Sequence, residues 1–151
     1  MIEISIVVPV RNESENIKPF LQITESVLKK MEKSYEIIFV LDPSTDDTEN
    51  IILEEIKRNK NIKLLTLSRR FGQPASTMAG IFNCKGSYCV IIDVDLQDPP
   101  DLIEEMYKKI TSGFEVIYAK RKSRQGETII KKVISSLGYY LINKLSDIQI
   151  P

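Results

Sequence analysis

Five short runs rich in β-branched and other apolar residues constrain this chain most: residues 4–8, 35–41, 62–67, 88–92 and 115–119. Each is too short for a typical helix and is punctuated by proline, glycine or acids, the pattern of strands covered on both faces. Between them the apolar residues fall at helical spacing: Ile17, Phe20, Leu21, Val27, Leu28 and Met31, then Ile51, Ile52, Leu53 and Ile56, then residues 75–84, then Leu102, Ile103, Met106, Tyr107 and Ile110. A single helix between consecutive strands demands a crossover, and crossovers join parallel strands. The expected fold is therefore α/β, a mostly parallel sheet with helices on both faces. With no internal repeat, low-complexity stretch or linker, the 151 residues read as one domain.

The runs end in acids, most conspicuously in Gly86-Ser87-Tyr88-Cys89-Val90-Ile91-Ile92-Asp93-Val94-Asp95-Leu96-Gln97-Asp98-Pro99-Pro100. In open α/β sheets ligands bind outside the carboxyl ends of the strands. Asp93 and Asp95 project the same way if the strand continues through them. Two convergent carboxylates suit Mg²⁺ or Mn²⁺, which are commonly held by one or two carboxylates plus substrate phosphates. Taken alone, the pair could equally end a strand and cap the next helix. Glu13 and Asp42 stand at the tips of the first two strands; Glu13 could compensate a helix dipole or contact a ligand, whereas capping does not explain Asp42. Asn12 with Glu15 resembles a capping arrangement for the first helix, which tolerates Pro19, and Ser44 or Thr45 can cap the second. Asp46, Asp47, Asp98 and Asp101 read as acids at helix N-termini.

Composition removes several functions. There is no histidine, so an imidazole base or a His-ligated zinc is excluded within this chain. Lysine plus arginine and aspartate plus glutamate balance at 21 each, and no global field argues for nucleic acid. Cys84 and Cys89 lack C-x-x-C spacing and read as small core residues of a reducing cytoplasm. No apolar run approaches the roughly 20 residues of a membrane span and no signal segment opens the chain, so a cytoplasmic domain is expected. The basic loop Lys120-Arg121-Lys122-Ser123-Arg124 is either solvated charge or a grip for a phosphorylated group. The stripe Ile130, Val133, Ile134, Leu137, Leu141 and Leu145 after it packs on the core or faces a partner.

Four motifs in order carry a resemblance: Val7-Val8-Pro9-Val10-Arg11-Asn12-Glu13, Val40-Leu41-Asp42-Pro43-Ser44-Thr45-Asp46, Leu67-Ser68-Arg69-Arg70-Phe71-Gly72-Gln73, and Asp93 to Pro100. Together they resemble family 2 glycosyltransferases of the GT-A fold, a Rossmann-like nucleotide-sugar-binding architecture, in the polyprenyl-phosphate or dolichol-phosphate mannose synthase-like branch. The resemblance implies a UDP- or GDP-sugar donor, a divalent metal and a polyprenyl-phosphate acceptor, and is compatible with homo-oligomers. By its motifs, Pro9, Arg11, Glu13, Val40 and Asp42 would line the base pocket. Asp93, Val94 and Asp95 would meet the ribose and diphosphate, with Asp93, Asp95 and Gln97 at the metal and Arg121 approaching the phosphates. Arg11 stands where the family usually has an aromatic residue, Leu41 replaces a common aspartate and Pro43 a common glycine. The family's catalytic base lies in a segment expected beyond Pro151, so the resemblance implies a donor-binding domain truncated at its C-terminal end, with membrane association supplied by segments absent here. Two readings of other classes remain: a non-catalytic nucleotide-binding module and a metal-dependent nucleotidyltransferase. Neither G-x-G-x-x-G nor a P-loop supports the first, and the turn after the first strand lacks the glycines expected of the second.

Overall fold

The computed structural model describes residues 1–120. Its elements are β1 (Ile4–Val10), α1 (Ser14–Lys30), β2 (Tyr35–Leu41), α2 (Thr48–Arg58), β3 (Ile62–Thr66), α3 (Gln73–Asn83), β4 (Tyr88–Ile91) and α4 (Leu102–Thr111). All four strands are parallel in the order β3-β2-β1-β4, with β1 and β2 in the middle. All these elements lie in the compact unit Met1–Ile117; of the second unit, Tyr118–Pro151, only residues 118–120 are described.

Alternation along the central strands sends side chains to two cores. Ile4, Ile6, Val8 and Val10 of β1, with Ile37, Phe39 and Leu41 of β2, meet Ile17, Phe20, Leu21 and Leu28 of α1, Ile52 of α2 and Ile103 of α4. On the other face Val7, Ile38 and Val40 meet Ala79 of α3 along with Leu65, Leu67 and Cys84. Helices thus cover both faces, as the crossover argument requires. α3 lies so close to the sheet that a Cβ on Gly80 would come within 2.3 Å of Val7 Cγ1. The helix α1 runs through Pro19, whose ring is exposed, and carries Glu15 in its first turn and Lys29 and Lys30 in its last, complementing the helix dipole.

At the strands' amino ends, Glu36 is fully buried on the α3 face. Its Oε1 accepts the Ser5 hydroxyl at 2.6 Å and the Lys85 amide at 2.6 Å, and its Oε2 pairs with the Lys63 ammonium. Ser5 Oγ in turn accepts the Gly86 amide at 2.8 Å, where a Cβ would lie 2.7 Å from the Ser5 nitrogen. The cluster ties the turn after α3 to the sheet and so sets where β4 begins. Burial pushes the Glu36 carboxyl up, but Lys63, Ser5 and the Lys85 amide together hold it below its ordinary value. Glu36→Ala, which strands these donors, is expected to lower unfolding free energy by about 2–3 kcal/mol in urea titrations at pH 7. Because the folded-state value is depressed, this stabilisation is complete above the ordinary glutamate value of 4.5 and is lost as pH falls through the lower folded value. The gap between the two proteins is therefore expected to narrow below pH 4.5.

Three expectations need correction. Residues 115–119 form no strand; a strand exists through its ladder, no neighbour pairs with this segment among the described residues, and Val116 is 82% exposed. β4 is not covered on both faces: it ends the four-stranded sheet, and Cys89 and Ile91 stay exposed on the α3 side. Cys84 packs partly against the second core, but Cys89 is an exposed thiol 3.4 Å from Cys84 Sγ, pushed up to about 12 by burial of the sulfur and by its neighbour.

Candidate functional site

The carboxyl ends of β1, β2 and β4 and the start of α3 surround a cleft of about 310 Å³ lined by Pro9, Val10, Arg11, Glu13, Asp42, Arg70, Gly72, Gln73, Ser76, Asp93, Val94 and Asp95. It lies where the sheet-edge rule puts a ligand.

One wall is set by a clasp between the loops that follow β1 and β2. Asn12, with φ +55°, leaves the helical path, and its Oδ1 accepts the Thr45 amide at 2.8 Å. Its own amide donates to Ser44 Oγ at 3.0 Å. Asp46 Oδ2 accepts the Ser14 amide at 3.0 Å and Oδ1 the Thr48 hydroxyl at 2.6 Å, while Thr48 Oγ1 accepts the Glu13 amide at 2.8 Å. Desolvation raises the Asp46 carboxyl, but the Thr48 and Ser14 donors outweigh it and bring it to about 2. The helices are therefore capped differently from the expectation. Neither Asn12 with Glu15 nor Ser44 or Thr45 provides the cap; Asp46 receives amides from the first turns of both α1 and α2. Arg11 and Glu13 are thereby held on the cleft.

Asp42 is only 3% exposed. Its carboxylate accepts the Phe71 amide at 3.2 Å and the Gly72 amide at 2.8 Å, so it caps the loop that leads into α3 as well as lining the cleft. Gly72 turns there with φ +87°, and the Ser76 amide closes on its carbonyl at 3.1 Å. That loop brings in Arg70, Gly72, Gln73 and Ser76, to which sequence reasoning gave no role. The signal was present, since Arg70 to Gln73 follow the third strand and belong to a quoted motif.

The acidic wall differs from its expectation. The strand stops at Ile91 and Ile92 makes the last ladder bond, donating to the Val7 carbonyl at 3.1 Å, so Asp93 and Asp95 sit in the turn beyond it. They reach the cleft through that turn, in which Leu96 has φ +59° and Asp95 Oδ1 accepts the Gln97 amide at 3.1 Å. Gln73 Nε2 donates to Asp93 Oδ1 at 2.8 Å. Burial pushes the Asp93 carboxyl up, and the charges of Asp95, Asp98 and Glu13 push it further against the opposing Gln73 bond. Negative charge from Asp93, Asp95 and Glu13 is thus gathered on the cleft. Among the described residues, no three His, Cys, Asp or Glu side chains converge closely enough to cage a metal by themselves.

Of the expected base-pocket residues, Pro9, Arg11, Glu13 and Asp42 line the cleft, as do Asp93, Val94 and Asp95. Val40 does not: it is fully buried in the second core, its Cγ2 3.0 Å from where a Cβ on Gly80 would stand. Val40 shares Asp42's side of the strand but lies deeper, under α3. Gln97 is exposed in the following turn and does not line the cleft, while Arg121, the basic loop and the apolar stripe from Ile130 to Leu145 lie outside the described residues.

A parallel α/β sheet with a carboxylate-lined cleft at its carboxyl edge is the arrangement the GT-A resemblance implies, and solved glycosyltransferases share the fold. Glucosyl-3-phosphoglycerate synthase from Mycobacterium tuberculosis, solved with Mn²⁺, UDP and glucosyl-3-phosphoglycerate, superposes with a TM-score of 0.65 at 22% identity, covering 95% of this chain and 50% of that one. Residues 5–150 match Glycosyl transferase family 2, and the chain belongs to that family. It is 41% identical to the uncharacterized glycosyltransferase YkcC of Bacillus subtilis over 99% of its own length and 46% of the relative's. It is 31% identical to the undecaprenyl-phosphate 4-deoxy-4-formamido-L-arabinose transferase of Photorhabdus laumondii over 94% of its length and 44% of the relative's. The chain thus spans under half the length of these relatives.

Proposed function

We propose that this chain is the donor-binding part of a glycosyltransferase that takes a nucleotide-diphospho-sugar, UDP- or GDP-linked, with a divalent cation, and passes the sugar to a polyprenyl phosphate. The observation that carries the reading is the cleft itself: a buried acceptor, Asp42, at one end and clustered carboxylates at the other. Pro9, Arg11, Glu13 and Asp42 serve the base, and Val94 backs the wall beside it. A base that donates a ring N–H, uracil or guanine, suits the remaining lone pairs of Asp42.

Asp93 and Asp95 serve the ribose, the diphosphate and the metal, with Gln97 assisting and Arg121 approaching the phosphates. The donor set fits a hard cation, because the mutual repulsion of Asp93, Asp95 and Glu13 is what a divalent ion would relieve, and a bare diphosphate would be repelled by the same charges. One or two carboxylates with the diphosphate would complete such a site, the described residues forming no protein cage. Asp93 and Asp95 would hold Mg²⁺ or Mn²⁺, which would supply charge neutralisation to the nucleoside diphosphate leaving group. Around it, the chain's own groups hold the donor in place: the Asn12–Asp46 clasp fixes Arg11 and Glu13, and Asp42 fixes the Arg70–Gln73 turn.

The acceptor class is supported by the arabinose-transferase relative, whose name specifies undecaprenyl phosphate. No helix among the described residues is long and apolar enough to cross a membrane. Titration calorimetry of UDP and GDP, each with Mn²⁺ and with excess chelator, tests the donor reading. At least one nucleotide is expected to bind about tenfold or more tightly with the cation, in line with Coulombic relief of about 1 kcal/mol or more. Equal affinity under both conditions for both nucleotides would contradict it.

A further inference from the structure

Gln73 is the first residue of α3 and belongs to the opposite wall of the cleft from the acidic turn. Its side chain crosses to that turn and donates to Asp93 Oδ1 at 2.8 Å. Asp93 and Asp95 both line the acidic wall of the cleft, and the Gln73 bond holds one of the two carboxylates in a set direction. A neutral amide in this place does something an arginine or lysine would not. It fixes the carboxylate's direction through one oxygen and leaves the net charge, and the other oxygen, available to a cation.

We infer that Gln73 is a positioning residue that orients Asp93 for the divalent cation and thereby sets the metal-dependent part of donor affinity. The inference rests on the donor reading above and adds a residue on a different element, so metal competence is shared between the β4 turn and α3. Partners that orient ligating carboxylates affect metal affinity by about 10–100-fold when removed.

The test is calorimetry of UDP with wild type and Gln73→Leu, each in saturating Mn²⁺ and in chelator, with a thermal melt of both proteins. Gln73 is exposed, so the melting midpoints are expected to coincide. In Mn²⁺ the variant is expected to bind UDP about tenfold more weakly, and in chelator within twofold of wild type. A general defect of the pocket would weaken both conditions alike, and that result would overturn the inference. Wild-type dependence on Mn²⁺ with an unchanged Gln73→Leu would overturn it while leaving the donor reading intact. Wild-type binding of UDP, and of GDP titrated in parallel, indifferent to Mn²⁺ would overturn the metal reading and this inference together.

Discussion

Asp95→Ala is expected to remove most of the Mn²⁺-dependent binding of nucleoside diphosphate, weakening it about a hundredfold, or ~3 kcal/mol, the scale of one charge contact near a protein surface. The side chain is exposed and its Oδ1 accepts a single backbone bond from Gln97, so folding is expected to survive the change. Asp101→Ala makes the comparison. Asp101 stands at the head of α4 without a side-chain cap bond and does not line the cleft, so binding is expected to stay within twofold of wild type. Calorimetry of both variants at matched folding decides the matter. A larger loss from Asp101→Ala would place the cation elsewhere.

The second large effect concerns turnover. A protein carrying the full length of the relatives is expected to transfer radiolabelled sugar to undecaprenyl phosphate in lipid vesicles, while the 151-residue chain binds donor with similar affinity and transfers at least about a thousandfold more slowly. Positioning of the acceptor and general-base assistance each contribute several kcal/mol to such a rate. The cleft residues from Pro9 to Asp95 are the ones proposed to hold the donor, and the family resemblance implies a catalytic base in a segment beyond Pro151. Comparable turnover by the short chain would place the base and the acceptor site within these 151 residues.

How much of this was legible in the sequence depends on the range of the interaction involved. The second strand, read as residues 35–41 from its apolar run, is observed as Tyr35–Leu41, because burial on both faces leaves an unbroken apolar signature. Helix positions followed from 3.6-residue spacing, and the parallel order followed from crossovers. Hydrogen bonds between loops about 30 residues apart leave no such trace. Asp46 looked like an ordinary first-turn acid, yet it joins two loops, and Asp42 looked free of structural duty, yet it holds the Phe71 and Gly72 amides. The run 88–92 leaves open whether the strand continues through Asp93 and Asp95, because nothing local marks Ile91 as its end; the ladder with β1 does. Val40 sits two residues from Asp42 and on the same side of the strand, but depth under α3, which sequence spacing does not encode, removes it from the cleft.

The most direct test of the account is a crystal structure of this chain with UDP and Mn²⁺, using anomalous scattering to locate the metal. The predicted result is one manganese peak within coordination distance of the Asp95 carboxylate and of the diphosphate, with uracil lying toward Asp42 and Arg11 at the carboxyl edge of the sheet. A nucleotide bound away from this edge, or a manganese ion that touches neither Asp93 nor Asp95, would contradict it.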